Sequence, residues 1–84
     1  MSGADLETVK YRINRLAREY DYQTSVMEIE EKYEGEFFKV VFQRGYHTYT
    51  YEVEGPVFEE WIAEVEPAAG MVRMVKLAIE ELAN

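Results

Sequence analysis

Several residue types on which enzymes depend are absent or rare in this chain of 84 residues. It has no cysteine, which excludes a disulfide framework and a thiolate metal site. His47 is the single histidine, and neither Ser2 nor Ser25 lies in a sequence typical of a nucleophilic serine. Because no catalytic constellation is recognisable, the sequence predicts a protein without enzymatic activity.

Long apolar runs and glycine-rich loops are also missing. No run approaches the roughly 18 apolar residues of a membrane span. The N-terminus lacks the basic and apolar regions of a secretory signal. Each glycine stands at a turn or a boundary, so no phosphate-binding loop is recognisable. We therefore expect a cytoplasmic protein that does not contact membranes and uses no cofactor.

Basic residues are outnumbered, and one segment has none. The chain holds 9 lysines and arginines against 17 acidic residues, for a net charge of −8. Residues 45–67 contain no lysine or arginine but include Glu52, Glu54, Glu59, Glu60, Glu64 and Glu66. A negative field concentrated in this way repels nucleic acid and attracts basic surfaces. The segment predicts a basic partner, and the alternative is that the charge serves solubility alone.

A second acidic group surrounds the first predicted hairpin. Its members are Glu28, Glu30, Glu31, Glu34 and Glu36. They lack the loop spacing of an EF-hand, and strand alternation sends Glu30 and Glu31 to opposite sides. We interpret them as charges that protect a strand edge from pairing with another chain, and we expect no metal site.

The chain nevertheless has enough apolar material for one core, since 48% of its residues are hydrophobic and 14% are aromatic. We expect residues 1–84 to form a single α+β domain. A first helix is predicted by apolar residues that recur every three or four positions, with Asp5 or Ser2 as its N-cap. These apolar residues are Leu6, Val9, Ile13, Leu16 and Tyr20.

Three strand-like runs follow, at residues 26–33, 37–44 and 46–54. They are rich in β-branched and aromatic residues, and Gly35 and Gly45 separate them, which predicts an antiparallel meander. In the first run, alternation places Met27 and Ile29 on the same side of the strand.

Two helices complete the prediction, one after Gly55-Pro56 and one after Gly70. The buried stripe of the first of these consists of Phe58, Trp61, Ile62 and Val65. The expected order is α-β-β-β-α-α, with the helices on one face of the sheet.

The order of a helix, three antiparallel strands and a helix resembles that of double-stranded RNA-binding domains. Those domains hold phosphates with a lysine cluster at the start of the helix after the sheet. Here that position includes Glu59 and Glu60, whose carboxylates would repel phosphate. We expect no direct binding to nucleic acid, and we interpret the basic residues of the first helix as a solvated face. They are Lys10, Arg12, Arg15 and Arg18.

Part of the chain resembles the KTSC domain, in which a hairpin with an aromatic pair precedes a helix that begins near proline. The resemblance lies in residues 40–45, Tyr49-Thr50-Tyr51, Val53, Pro56-Val57-Phe58 and Trp61. The lysine, serine and phenylalanine signature that follows the helix in that family is missing here. The resemblance implies an accessory domain.

The architecture as a whole is similar to several phage-encoded anti-CRISPR inhibitors, which are small, acidic and cysteine-free, with an antiparallel meander and terminal helices. Some of them present carboxylates where the phosphates of a nucleic acid would bind. The similarity implies an inhibitor that occupies a nucleic-acid-binding groove as a phosphate mimic. The class has no diagnostic motif, so it transfers no residue to this chain.

These observations predict a non-enzymatic binding protein whose acidic surface docks on a basic protein. In the narrower form of this prediction, the partner is a CRISPR-type complex that binds nucleic acid. The predicted partner-binding residues are Glu52, Glu59, Glu60, Glu64 and Tyr46. The alternatives are a KTSC-like accessory domain and an assembly module that self-associates through the second face of the sheet. Both a monomer and a homodimer are compatible with the sequence.

Overall fold

Three helices and one three-stranded antiparallel sheet follow each other in the order α-β-β-β-α-α, which confirms the predicted fold class. A computed structural model describes residues 3–64 and 66–83. Its elements are α1 (Gly3–Tyr20), β1 (Ser25–Lys32), β2 (Phe37–Arg44), β3 (His47–Glu54), α2 (Gly55–Ala63) and α3 (Ala69–Ala83). No helix in the described ranges is long and apolar enough to cross a membrane.

Helix α1 packs on the sheet through the predicted stripe, although both ends differ from the prediction. The helix already includes Gly3, so Asp5 lies inside it and is not its N-cap, while Ser2 lies outside the described residues. At the other end Tyr20 is 50% exposed. The Nζ atom of Lys76 on α3 lies 5.3 Å from the centre of the Tyr20 ring, a cation–π contact between the two helices.

The strands are arranged in sequence order, so β2 is the central strand. Phe38, Val40 and Phe42 of β2 are buried on the face that the helices cover. The intervening residues of β2 point to the opposite face because side chains alternate along a strand. The sheet therefore has an inner face, which contributes to the core, and an outer face formed mainly by exposed and half-buried side chains.

A β-bulge changes the predicted alternation of β1. The register shifts between Val26 and Glu28, with Val26 opposite Phe42 and Ile29 opposite Val40. Val26 and Ile29 therefore both face inwards, and the extra residue, Met27, is 45% exposed. The prediction that Met27 and Ile29 share a side is wrong because the bulge inserts one residue into the alternation.

The two hairpin turns use positive φ angles in different ways. Gly45 has φ 62° at the first central position of the β2–β3 turn, where a type II′ turn requires it. Between β1 and β2, Tyr33, Glu34 and Gly35 have φ angles of 52°, 54° and 94°. Only the glycine of this turn was expected from the sequence, and two L-residues share its left-handed conformation.

Helices α2 and α3 close the core over the inner face. Helix α2 buries Gly55, Phe58 and Trp61, while Val65 of its predicted stripe lies outside the described residues. Helix α3 buries five residues: Met71, Met74, Val75, Ala78 and Leu82.

Candidate functional site

Four of the six acids of the lysine-free and arginine-free segment lie on helix α2 or within three residues after its end, and the apolar face of α2 fixes its orientation. The rings of Phe58 and Phe38 stack with their centroids 4.1 Å apart and their planes 12° from parallel. Trp61 is buried next to them. With these rings against the sheet, Glu59 and Glu60 are left on the exposed side of the helix.

The exposed acids Glu59, Glu60, Glu64 and Glu66 constitute what we call the α2 acidic surface. Their carboxylates form no ion pair with any described residue. The carboxylates of this surface are therefore unpaired within residues 3–64 and 66–83, and they are available to a cationic group from outside.

Arg12 of α1 holds the C-terminal end of α2. Its Nη1 atom donates hydrogen bonds to the carbonyl oxygen of Glu64 at 2.8 Å and to that of Ile62 at 3.2 Å. The Glu64 N–H in turn donates to the carbonyl oxygen of Glu60 at 3.2 Å. A guanidinium at this end satisfies free carbonyls and opposes the negative end of the helix dipole. The interpretation of Arg12 as part of a solvated face is therefore corrected.

The N-terminal end of α2 is held by a close backbone approach. The N–H of Gly55 donates to the carbonyl oxygen of Glu36 at 2.8 Å. A Cβ atom on residue 55 would lie 2.0 Å from the carbonyl oxygen of Gly35, so the contact requires glycine. Both ends of α2 are thus tied to other elements, and its carboxylates stand on a helix fixed at each end.

Glu52 does not belong to the α2 acidic surface. It lies on the outer face of the sheet, opposite Lys39, whereas α2 packs on the inner face. With Lys32, Tyr33, Phe37 and Lys39 it lines a shallow cleft of about 270 Å³. The neighbouring lysines reduce the net negative charge of that cleft, whereas no lysine forms an ion pair with the carboxylates of the α2 acidic surface among the described residues.

Tyr46 is fully exposed in the turn between β2 and β3. It is separated from α2 by the eight residues of β3, or about 25 Å of extended chain. Of the predicted partner-binding residues, the structure places Glu59, Glu60 and Glu64 on or at the end of one helix. Glu52 and Tyr46 lie elsewhere.

The acids around the first hairpin are partly neutralised. Lys32 Nζ lies 2.7 Å from Glu30 Oε1. This hydrogen bond lowers the pKa of Glu30 and raises that of Lys32. Among the described residues, no group of three or more histidine, cysteine, aspartate or glutamate side chains is arranged to hold a metal ion.

Among the described residues, Asp21 is an acid with several hydrogen-bond and ion-pair partners. Its carboxylate accepts hydrogen bonds from the Thr24 hydroxyl at 2.8 Å and the Gln23 N–H at 3.2 Å. Arg44 at the end of β2 places Nε 3.4 Å from the same carboxylate. The hydrogen bond from Thr24 is the main cause that lowers the pKa of Asp21, followed by that from Gln23, and the charge of Arg44 contributes less. This group stabilises the loop after α1.

Comparison of the chain with protein-family models, with curated proteins and with solved structures finds no match.

Proposed function

We propose that this protein is a non-enzymatic binding protein whose α2 acidic surface docks on a basic surface of another protein. The observation that supports this proposal is the set of exposed carboxylates at Glu59, Glu60, Glu64 and Glu66, which lack ion-pair partners among the described residues. A surface charge that served solubility alone would give no docking that depends on these particular positions.

The anchoring of α2 matters for binding because a preformed surface loses little conformational entropy when it docks. Arg12 at one end and Gly55 at the other hold the helix before any partner arrives. Unpaired carboxylates on such a helix would accelerate association with a basic groove, and the effect would weaken as salt screens the charges.

In its narrower form, the proposal is that the basic groove belongs to a CRISPR-type complex and that the carboxylates stand in for nucleic-acid phosphates. This form is supported only by the resemblance in size, charge and predicted order of elements to anti-CRISPR inhibitors. Residues Glu59, Glu60 and Glu64 would then compete directly with nucleic acid for lysines and arginines in the groove.

The test is displacement of fluorescent target DNA from a panel of purified, guide-loaded CRISPR effector complexes, followed by anisotropy. Wild-type protein should displace DNA from at least one complex. The variant E59Q/E60Q/E64Q should need about tenfold more protein for half displacement, because it loses three attractive charges. The matched control E19Q/E80Q/E81Q removes the same charge at exposed positions of α1 and α3 and should behave like wild type.

Two results would count against the proposal. If the wild-type protein displaced DNA from none of the effector complexes, the narrower form would be overturned. The general form is tested with fluorescent polylysine at several salt concentrations, and equal affinity and salt dependence for wild type, E59Q/E60Q/E64Q and the control would overturn it.

A further inference from the structure

Strand β3 is an edge of the sheet, and its free backbone groups can be assigned. Gly55 N–H donates to the carbonyl oxygen of Glu36, which continues the β2–β3 ladder by one hydrogen-bonded pair. Because such pairs recur at every second residue, the backbone groups of Val53, Tyr51, Tyr49 and His47 point towards β2. The groups that point away from β2 belong to Thr48, Thr50, Glu52 and Glu54, whose side chains are all exposed.

The two edges of the sheet differ in how they resist pairing with another strand. The β1 edge has a bulge at Met27 and several charged side chains, both of which hinder strand addition. The β3 edge pairs with β2 without a register shift over eight residues, and it contains no proline or lysine. Its alternating threonines and tyrosines suit a pleated surface. An added strand therefore fits β3 better than β1.

We propose that the occupant of this edge is a second copy of the chain, whose β3 pairs antiparallel to the first about a two-fold axis at Thr50. The two sheets would then form one continuous sheet. In this register each Thr50 faces the other, and each Glu52 faces Thr48 of the second copy. All of these residues have outward-pointing backbone groups, so each facing pair can exchange two hydrogen bonds.

The positions of the carboxylates disfavour registers whose axis lies closer to the C-terminal end of β3. With the axis at Thr50, no glutamate of one β3 lies opposite or diagonal to a glutamate of the other. Moving the axis to Tyr51 would place the two Glu52 side chains diagonally adjacent, and moving it to Glu52 would place them face to face. Like charges in these positions destabilise a strand pair.

The inner face of the paired strands is also complementary. Tyr49 of each copy would lie opposite Tyr51 of the other, in pairs whose Cα atoms approach most closely. Both tyrosines are half-buried in one copy and pack against its core. Pairing would cover their remaining surface and form two cross-strand aromatic pairs, which stabilise antiparallel strands.

The inference is independent of the proposed docking of α2, since it depends on the backbone of β3. A single pair of strands buries little area compared with a stable interface, so we expect a reversible dimer that forms as concentration rises. Sedimentation equilibrium from about 1 µM to about 1 mM should show this association.

A matched pair of threonine-to-lysine variants tests the register. Thr50→Lys places two lysines face to face on the axis and should weaken dimerisation about fivefold. Thr48→Lys adds the same charge to the same face of the same strand, but it places each lysine opposite a Glu52 and should strengthen dimerisation about fivefold. Both residues are exposed, so unfolding in urea provides the check that each variant still folds.

Hydrogen exchange on wild-type protein is the second measurement. The amides of Thr48, Thr50 and Glu52 should become protected as concentration rises, while those of β1 should not change. A monomer at about 1 mM, equal effects of the two lysine variants, or protection of β1 in place of β3 would each overturn the proposal.

Discussion

At the scale of single residues, Asp21 shows how a polar side chain connects separate parts of this fold. Its carboxylate accepts hydrogen bonds from Thr24 and Gln23 within the loop and lies beside Arg44 of β2. Because these contacts favour the ionised form, the pKa of Asp21 in the folded protein lies below its ordinary value.

The sign of the pH dependence follows from this lowered pKa. The stabilisation from Asp21 is complete well above pH 4, where the unfolded carboxyl is also ionised, and it is lost as the pH falls through the folded pKa. Urea unfolding should therefore show wild type more stable than Asp21→Asn at pH 7, with the difference shrinking at about pH 3. Glu19→Gln makes an equal charge change at an exposed position, so its stability should stay close to that of wild type at both pH values. If the stability difference between wild type and Asp21→Asn did not change with pH, the lowered pKa of Asp21 would be contradicted.

Gly55 provides the second prediction at this scale. An alanine Cβ there would lie 2.0 Å from the backbone oxygen of Gly35, and neither backbone can move without disturbing the strand ends. We expect Gly55→Ala to reduce the free energy of unfolding by about 3 kcal/mol. At Gly45 the same change meets no atom within 4 Å, and only the positive φ opposes it. Gly45→Ala should cost about 1 kcal/mol, and the reverse ranking in urea unfolding would refute the close-approach argument.

At the scale of elements, the position of α2 depends on a residue from another helix. Arg12 reaches from α1 to the carbonyl oxygens of Ile62 and Glu64, where α2 ends. The sequence predicted that Arg12 belongs to a solvated face of α1. The sequence pattern of α1 does not indicate which helix packs beside Arg12, so this contact could not be predicted from the sequence.

Arg12→Met keeps the aliphatic stem but removes both hydrogen bonds. We expect a loss of about 1–2 kcal/mol in the free energy of unfolding, because charge-assisted hydrogen bonds to carbonyls are lost. Amides in the last turn of α2 should also exchange faster with solvent. Arg15→Met removes the same charge from an exposed position on α1 and is the control. Equal stability of the two variants would show that the capping contact contributes nothing.

At the scale of the whole molecule, the two proposed surfaces are separate. The α2 acidic surface includes Glu59, Glu60 and Glu64, whereas the dimer edge uses the backbone of β3 around Thr50. The variant E59Q/E60Q/E64Q should therefore dimerise like wild type, and Thr50→Lys should still displace DNA or bind polylysine. If one variant abolished both activities, the surfaces could not be independent, and sedimentation and anisotropy on the same samples would reveal this.

The amino-acid sequence was enough to predict the elements and their order, because apolar side chains that repeat with the period of a helix or strand must face a common core. It also determined that the acids between residues 45 and 67 meet no lysine or arginine within their own segment. Which acids share a surface became visible in the folded chain alone, where the sheet lies between Glu52 and Glu59. The fold likewise revealed the bulge at Met27, the contact at Gly55 and the cap from Arg12. Each of these features depends on two segments that are distant in sequence. Local periodicity does not indicate which distant segments will be in contact.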